Sequence, residues 1–216
     1  MNRLSEHSER NHPRVLVAIV AGAALVAGAI VVSGTPASAD TEQLRAVLKD
    51  PGGNVVGRVD FAVSRDSMTV KVRLRPNQNV ATGQFHGLHV HANNNAANGT
   101  GCVADAGQAS STWFASADGH FAEVGQTHAQ HAGDLPSPLV LADGSATLSF
   151  TTDRIDPALL SGRAVILHFG RDNFGNVPVG DALDQYTPNS ADATDKTSRT
   201  GNAGDRAACG VVTRIA

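Results

Sequence analysis

The chain has 216 residues, and its 17 Lys and Arg against 20 Asp and Glu give a net charge of −3 when the histidines are neutral. This length is enough for one domain with a buried core of its own. No basic run stands out along the chain, so nucleic acid is not an expected partner.

The first 39 residues have the layout of a secretory signal peptide. Three arginines precede an apolar run at 15–32, and Ala37-Ser38-Ala39 offers a cleavage site of small residues. The run is also just long enough to span a bilayer, so an uncleaved membrane anchor is the alternative. We therefore expect residues 1–39 to direct export to the cell envelope or the extracellular space, and 40–216 to form a single domain. Membrane contact is expected only through an uncleaved N-terminal segment.

The remaining chain consists of short strand-like segments, polar turns and two long loops. Residues 92–134 and 171–205 are the loops, and 156–162 is interpreted as one helical turn. Alternating or continuous apolar and β-branched residues mark the strands. In chain order these are 44–50, 55–63, 68–76, 83–91, a hairpin pair around the turn at 142–144, 163–170 and 209–215. About eight antiparallel strands with little helix predict an all-β Greek-key barrel or sandwich, whose two long loops are functional.

Two cysteines, Cys102 and Cys209, lie in the part of the chain that is expected to be exported. An even number of cysteines in an oxidising compartment indicates one disulfide. It would close a loop of about a hundred residues, worth ~4–5 kcal/mol in the chain-entropy model. Two unpaired buried thiols are the alternative.

The stretch HGLHVH at 86–91 crowds three imidazoles into six residues. In a strand, His89 and His91 share one face and His86 lies on the other, whereas in a helix His89 and His91 would lie about 200° apart. A strand therefore presents His89 and His91 together as a candidate pair of metal ligands. His86 is expected to form hydrogen bonds instead.

Two sets of residues have the chemistry of metal ligands. Three imidazoles and a carboxylate in the first loop suit tetrahedral zinc: His120, His128, His131 and Asp134. Imidazoles from two strands suit copper: His89, His91 and His168. Taken singly, a His-x-His pair is often a surface feature and a lone apolar-strand histidine is often a core residue. The joint pattern is much more specific.

Five segments together resemble the copper–zinc superoxide dismutases: HGLHVH, GHF (119–121), HAGDLP (131–136), RAVILHFGRDN and GNAGDRAACGV (201–211). The resemblance covers nearly all of 44–216, in the order of the family. It implies copper and zinc as cofactors and the superoxide anion as substrate. The implied reaction converts two superoxide anions and two protons into dioxygen and hydrogen peroxide by one-electron cycling of copper.

The resemblance also assigns roles to individual residues. It implies that copper is held by His89, His91, His120 and His168, and that zinc is held by His120, His128, His131 and Asp134. His120 would bridge both ions and exchange a proton during the reaction, and Arg206 would attract the substrate anion; these two would be the catalytic residues. Asp172 would orient one copper histidine and one zinc histidine, and Cys102 and Cys209 would tie the metal-site loop to the barrel.

One departure from the family concerns the zinc ligands. Only Ala129 and Gln130 separate His128 from His131, where the family usually has several residues. A dismutase that works with copper alone, because its zinc site is defective, is therefore one alternative.

Other interpretations do not require dismutation. A non-catalytic exported protein that binds or buffers copper would keep the histidines but would not need Arg206, which could pair with Asp205 at the surface instead. Asp172 could be an ordinary turn residue, and a structural sandwich module would bind no metal at all. The sequence carries no signal for an oligomeric state.

Overall fold

The structure is a computed structural model that describes residues 42–76, 80–182 and 185–215. The predicted signal segment 1–39 lies outside these residues, so its division from the domain at 40–216 stays a prediction. Among the helices of the described ranges, none is long and apolar enough to cross a membrane.

Strands account for most of the regular structure. They are β1 (Gln43–Lys49), β2 (Val55–Val63), β3 (Met68–Leu74), β4 (Gln84–Phe85), β5 (Leu88–His91), β6 (Asp134–Leu135), β7 (Leu139–Val140), β8 (Ala146–Thr152), β9 (Ala164–His168) and β10 (Arg206–Ile215). One α-helix, α1, spans Ala191–Thr200, and four short 3-10 turns complete the described elements.

Eight strands form one curled antiparallel sheet in the order β6-β5-β9-β10-β1-β2-β3-β8, and β4 pairs with β7 in a second, two-stranded sheet. The last strand, β10, lies between β1 and β9, so the two ends of the domain meet in the middle of the sheet. The predicted all-β Greek-key class is confirmed.

Period-two alternation explains why β1, β2 and β3 form half-buried strands. In β1, Leu44 and Leu48 are fully buried while Arg45 between them reaches the solvent side. Val59 and Phe61 of β2 repeat the pattern. The buried face of each strand contributes to the main core, and each fully buried large apolar side chain stabilises the fold by roughly 1.5–3 kcal/mol.

Strands β5 and β9 differ because both of their faces are buried. Val90 and Leu167 point into the main core. On the opposite face, Ile166 packs with Phe114 and Cys209 in a second, smaller cluster beneath the first long loop. This second buried face is the one that carries the strand histidines.

The disulfide is present between Cys102 and Cys209, whose Cα atoms are 5.5 Å apart and 107 residues apart in sequence. It joins the first long loop to β10, so the predicted pairing is confirmed. Because Cys209 belongs to the same cluster as Phe114, the bond anchors the loop over the outer face of β9.

The second long loop contains a helix that the sequence reading missed. Within 171–205, which was expected to be loop, α1 begins after Ser190, whose side chain accepts a hydrogen bond from the Ala193 N–H. It ends at Gly201, which adopts the left-handed conformation with φ of 59°. The segment has only 10 residues, and these are mostly small and polar, so the sequence pattern did not indicate a helix even though residues typical of both helix ends are present.

Three strand predictions need correction. The single strand expected over 83–91 is divided into β4 and β5, which belong to different sheets. The turn at 142–144 exists, with the Leu141 N–H 2.8 Å from the Ser145 carbonyl oxygen, but its flanking strands do not pair with each other. β7 pairs with β4 and β8 pairs with β3, since each finds its ladder partner elsewhere in the fold. The last strand begins at Arg206 rather than 209, whereas the helical turn near 156–162 is present as a 3-10 turn at Pro157–Leu159.

Candidate metal centre

The ladder between β5 and β9 brings three histidines onto one face. His89 lies opposite Ile166 and His91 opposite Ala164, so both share the face of alternate β9 residues, which includes His168. His120 arrives from the first long loop and forms an isolated β-bridge with His91. All four side chains are buried or nearly so.

One ring nitrogen from each of these four histidines lies within 4.8 Å of the others. We call this group, formed by His89, His91, His120 and His168, the copper-side cluster. Four ring nitrogens in it are buried without a hydrogen-bond partner: His89 Nδ1, His91 Nε2, His120 Nε2 and His168 Nε2. Buried nitrogens normally find a partner, so this set of orphaned lone pairs fits a metal ion with imidazole ligands.

Hydrogen bonds at the far side of each ring determine which nitrogen is left free. His91 Nδ1–H donates to the Asp118 carbonyl oxygen at 2.8 Å, and His168 Nδ1–H donates to the Gly204 carbonyl oxygen at 2.9 Å. His89 Nε2–H donates to Asp172 Oδ2 at 2.7 Å. Each bond holds the proton on one nitrogen, so the other presents its lone pair to the cluster.

A second group lies on the other side of His120. We call it the zinc-side cluster, and it consists of His120, His128, His131 and Asp134. Asp134 Oδ1 lies 2.8 Å from His120 Nδ1 and 3.2 Å from the Nδ1 atoms of both His128 and His131. The Nδ1 atoms of His120 and His131 are 3.2 Å apart.

These separations match the requirement of tetrahedral zinc. Ligands at about 2.0–2.1 Å from zinc are about 3.3 Å from one another in a tetrahedron. Three imidazoles and a carboxylate are also an established kind of donor set for this ion. The donor chemistry and the four separations around Asp134 and His120 therefore suit zinc, and the group whose ligand atoms all lie within 4.8 Å of one another on this side consists of His89, His120, His128 and Asp134.

The short sequence spacing between two candidate zinc ligands does not keep them apart. Ala129, directly after His128, adopts a positive φ of 74°, which turns the chain sharply enough for His131 to face the same point. Arg154 donates from Nη2 to the Ala129 carbonyl oxygen at 3.1 Å and holds this turn from outside. The short spacing is therefore compatible with an approach of both His128 and His131 to Asp134.

Asp172 connects the two clusters. Its Oδ2 accepts from His89 Nε2–H, and its Oδ1 accepts from His128 Nε2–H, both at 2.7 Å. The Phe174 N–H also donates to Oδ1 at 2.7 Å, which fixes the carboxylate itself. One buried carboxylate thus orients a ring in each cluster.

Burial and ion pairing shift the pKa values of these groups in opposite directions. Burial lowers the pKa of His89, and lowers those of His91 and His168 well below their usual value. Burial likewise lowers the pKa of His120 to about 4. Burial would also lower the pKa of His128, but its contacts with two carboxylates outweigh this effect and raise it to about 9.

The two carboxylates show the complementary effect. Burial alone would raise the pKa of Asp134, but hydrogen bonds from His120 and His128 hold it well below its usual range. The same balance, with His128 and His89 as donors, lowers the pKa of Asp172. Both side chains are therefore ionised at neutral pH and available as anionic partners.

Arg206 lies at the edge of the copper-side cluster. Its guanidinium donates to the carbonyl oxygens of Phe114 and Asp118. Together with His91, His120 and His168 it lines an open cavity of about 970 Å³, which links the cluster to the surface. The contacts that hold Arg206 are these two carbonyl oxygens, while the Asp205 carboxylate accepts from Ser110 Oγ.

Sequence reasoning missed the role of Asp118. Its carbonyl oxygen accepts from both His91 and Arg206, so one backbone atom connects a candidate ligand to the candidate anion-binding group. Its carboxylate accepts from the backbone N–H groups of Asn94 and Asn95. The local sequence cannot indicate a residue that acts through its backbone carbonyl, because every residue type has this group.

His86 stays outside both clusters. Its ring nitrogens lie 3.1 Å from the His168 carbonyl oxygen and 2.8 Å from the Ala81 carbonyl oxygen. The expected hydrogen-bonding role agrees with these contacts, although His86 lies just before β5 and not within a strand.

Comparison with known proteins agrees with this architecture. A family model described as copper/zinc superoxide dismutase (SODC) matches residues 55–212. The chain is 37% identical over 205 residues to the Cu-Zn superoxide dismutase of Mycolicibacterium paratuberculosis, which covers 93% of this chain and 86% of the relative. It is 30% identical over 176 residues to the extracellular Cu-Zn superoxide dismutase of Brugia pahangi, with 77% and 73% covered.

Among solved structures, the clock protein EA4 has a similar fold. The TM-score is 0.56 at 22% sequence identity, with 81% of this chain and 96% of the other covered. At that identity the likeness shows the fold alone. From the extent of the family match and the identity to its members, the chain belongs to the copper/zinc superoxide dismutase family.

Proposed function

We propose that this protein dismutates superoxide at a copper ion held by His89, His91, His120 and His168, beside a zinc ion held by His120, His128, His131 and Asp134. The observation that carries the proposal is the position of His120, whose two ring nitrogens face the two clusters. Family membership supports both the activity and the two metals. Copper bound at this site supplies one-electron redox chemistry, which redox-inert zinc cannot supply.

His120 is the proposed proton carrier. Its Nδ1 is engaged with His131 and Asp134, which leaves Nε2 as the atom able to hold a proton next to the cavity. Because His120 lines the cavity, a proton held at Nε2 can pass to an anionic product there.

Arg206 is the proposed binding group for the substrate anion. The whole chain is net negative, so a local cation must attract superoxide. A guanidinium is permanently charged and its fork of N–H groups suits a small anion. Two backbone carbonyls hold it at the cavity wall, which orients it before substrate arrives.

Export is part of the same proposal. The disulfide indicates an oxidising compartment, and one of the relatives is named as extracellular. With the apolar run at 15–32, these observations support a protein of the cell envelope or the extracellular space.

The proposal is tested by counting copper and zinc per chain and assaying inhibition of cytochrome c reduction, with Arg206→Ala alongside the wild type. We expect one copper and one zinc per chain in both proteins, and activity about tenfold or more lower in the variant, because a charge-assisted contact contributes about 1.5–3 kcal/mol. Arg58→Ala, which removes a distant exposed cation, is the control and should keep full activity. Stoichiometric copper without any inhibition by the wild type would instead identify a copper-binding carrier, and copper without zinc would identify a copper-only enzyme.

A further inference from the structure

The solvent side of β1, β2 and β3 carries a concentration of positive charge. Alternate residues of the three strands face outward, and five of them are cations: Arg45, Lys49, Arg58, Lys71 and Arg73. Arg75 follows directly after β3. We call these six residues the basic face. Asp60 is the one carboxylate among the outward residues of these strands, although the chain as a whole is net negative.

The register of the sheet places like charges next to each other. Arg58 is directly opposite Arg73, an arrangement that normally destabilises a strand pair. Asp60 offsets part of the repulsion, since it accepts hydrogen bonds from Arg45 at 2.5 Å and from Arg58 and Arg73 at 3.1 Å. One carboxylate for three guanidiniums leaves this triad with excess positive charge.

A shallow depression of about 450 Å³ opens between these arginines. Its described lining includes four cations and no acidic or aromatic residue: Arg45, Arg58, Arg73, Arg75, Val47 and Thr147 are among its members. Gly57 also lines it and lets the backbones approach closely, because a Cβ there would lie 2.7 Å from the Arg73 carbonyl oxygen. The cations therefore surround a concave surface with an apolar floor.

We propose that the basic face binds a linear polyanion that carries phosphate groups along its length. Guanidinium forks match phosphate oxygens in pairs of parallel hydrogen bonds. Neighbouring strands are about 4.8 Å apart and same-face residues about 6.7 Å apart along a strand, so the array contacts several successive anionic groups at once. Such a ligand would supply the negative charge that Asp60 alone does not provide.

Two features favour this partner over other anionic macromolecules. Binding of single-stranded nucleic acid relies on aromatic side chains for base stacking, and the described lining offers none. Membrane-surface binding relies on protruding apolar anchors, whereas Val47 and Val55 here are only 40% exposed beside a depression.

The proposed surface is separate from the metal centre. In the sheet, β10 lies between the ligand-bearing strand β9 and β1, which is the nearest strand of the basic face. The depression shares no residue with the cavity beside Arg206. Polyanion binding is therefore expected to leave dismutation unchanged, and the two proposals can fail independently.

The test measures binding of inorganic polyphosphate to the metal-loaded protein over a range of salt concentrations. Arg58→Ser/Arg73→Ser is the test variant, and Arg65→Ser/Lys196→Ser is the control with the same loss of charge at exposed positions outside the depression. We expect affinity to fall about tenfold or more, with a shallower salt dependence, in the test variant only. Asp60→Asn is expected to bind more tightly, because it removes the competing carboxylate.

Several outcomes would overturn the proposal. Equal losses in the test and control variants would show that binding follows net charge alone. Tighter binding of single-stranded DNA, or of vesicles of phosphatidylglycerol and phosphatidylcholine, than of polyphosphate would assign the face to a different partner. Unchanged circular dichroism and metal content in each variant ensure that a lost affinity reports on the surface and not on folding.

Discussion

At the scale of single residues, the candidate centre depends on which nitrogen of each ring carries the proton. Asp172 shows this most clearly, because its two oxygens accept from the Nε2–H groups of His89 and His128, so that Nδ1 of His89 is left without a partner and Nδ1 of His128 faces Asp134. An Asp at a turn is an ordinary choice, since its carboxylate also accepts from the backbone N–H two residues on. The same side chain therefore serves the turn and both clusters, and the turn interpretation does not compete with the orienting role.

Asp172→Asn is expected to weaken metal binding about 10–100-fold, as is typical when a group that orients metal ligands is changed. The amide keeps one acceptor oxygen but presents an NH₂ group to the second ring, which favours the tautomer that cannot bind the metal. Competition with chelators of known affinity measures the effect for copper and zinc separately. Asp143→Asn removes a carboxylate at an exposed turn and should change neither affinity. Equal affinities in wild type and Asp172→Asn would show that the rings are held by the surrounding packing alone.

At the scale of elements, the second long loop packs against the zinc-side cluster. Helix α1 directs Gly201 to a point where a Cβ would lie 2.2 Å from Asp172 Oδ1 and 2.4 Å from His128 Nε2. The Ser198 carbonyl oxygen near the end of α1 also accepts from the His128 N–H at 2.7 Å. Helix α1 thus has a structural role, because its end lies against a candidate zinc ligand.

Gly201→Ala is expected to lower both stability and zinc affinity. The left-handed φ of 59° alone costs an alanine about 1–2 kcal/mol, and the added methyl group must also displace His128 or Asp172. Gly53→Ala is a matched control, because its φ is +84° but nothing lies within 4 Å of the added carbon. We expect urea unfolding to show a loss of stability in both variants and zinc titration to show a loss of affinity in Gly201→Ala only. Wild-type zinc affinity in Gly201→Ala would contradict the role of the helix end.

At the scale of the whole molecule, the fold surrounds the two clusters with buried surface and must keep several imidazoles neutral when no metal is bound. Burial lowers the pKa of His89, His91, His120 and His168 below the value of about 6.5 that they have in an unfolded chain. His128 is the exception, with its pKa raised to about 9 by two carboxylates.

The metal-free protein should therefore lose stability on both sides of neutral pH. Below about pH 6.5 the four histidines bind protons in the unfolded chain but stay neutral in the folded protein. The free energy of unfolding therefore falls as pH falls, by up to roughly 1.4 kcal/mol per pH unit for each histidine. In this pH range His128 is protonated in both the folded and the unfolded state, so it does not add to the pH dependence of stability. Between pH 6.5 and about 9 the stabilisation that comes from protonated His128 is lost as pH rises. Stability therefore falls less steeply on the alkaline side than on the acid side.

Urea unfolding of chelator-treated protein at pH 5, 6.5 and 9 checks this prediction. Stability should be greatest at the middle value and should fall more steeply on the acid side. A free energy of unfolding that is constant from pH 6.5 to 5 would mean that the histidines are not held neutral by burial.

The local sequence determined much of this protein because strand alternation is a short-range property. The alternation in 86–91 predicted that His89 and His91 share a face, and the ladder register confirms this, whereas His86 lies between β4 and β5, outside either strand. The predicted disulfide and the all-β class are also confirmed. Motif resemblance named both metals, which family membership supports.

Tertiary structure decided what depends on residues distant in the chain. The convergence of His120 with His168, the double contact of Asp172 and the shared carbonyl of Asp118 all join separate loops and strands. The sequence shows no run of consecutive basic residues for the basic face. Its cations come from alternate positions of three strands, which meet only when the sheet assembles. Side-chain direction repeats every two residues and can be read locally, whereas the meeting of loops depends on packing across the whole domain, which no local pattern contains.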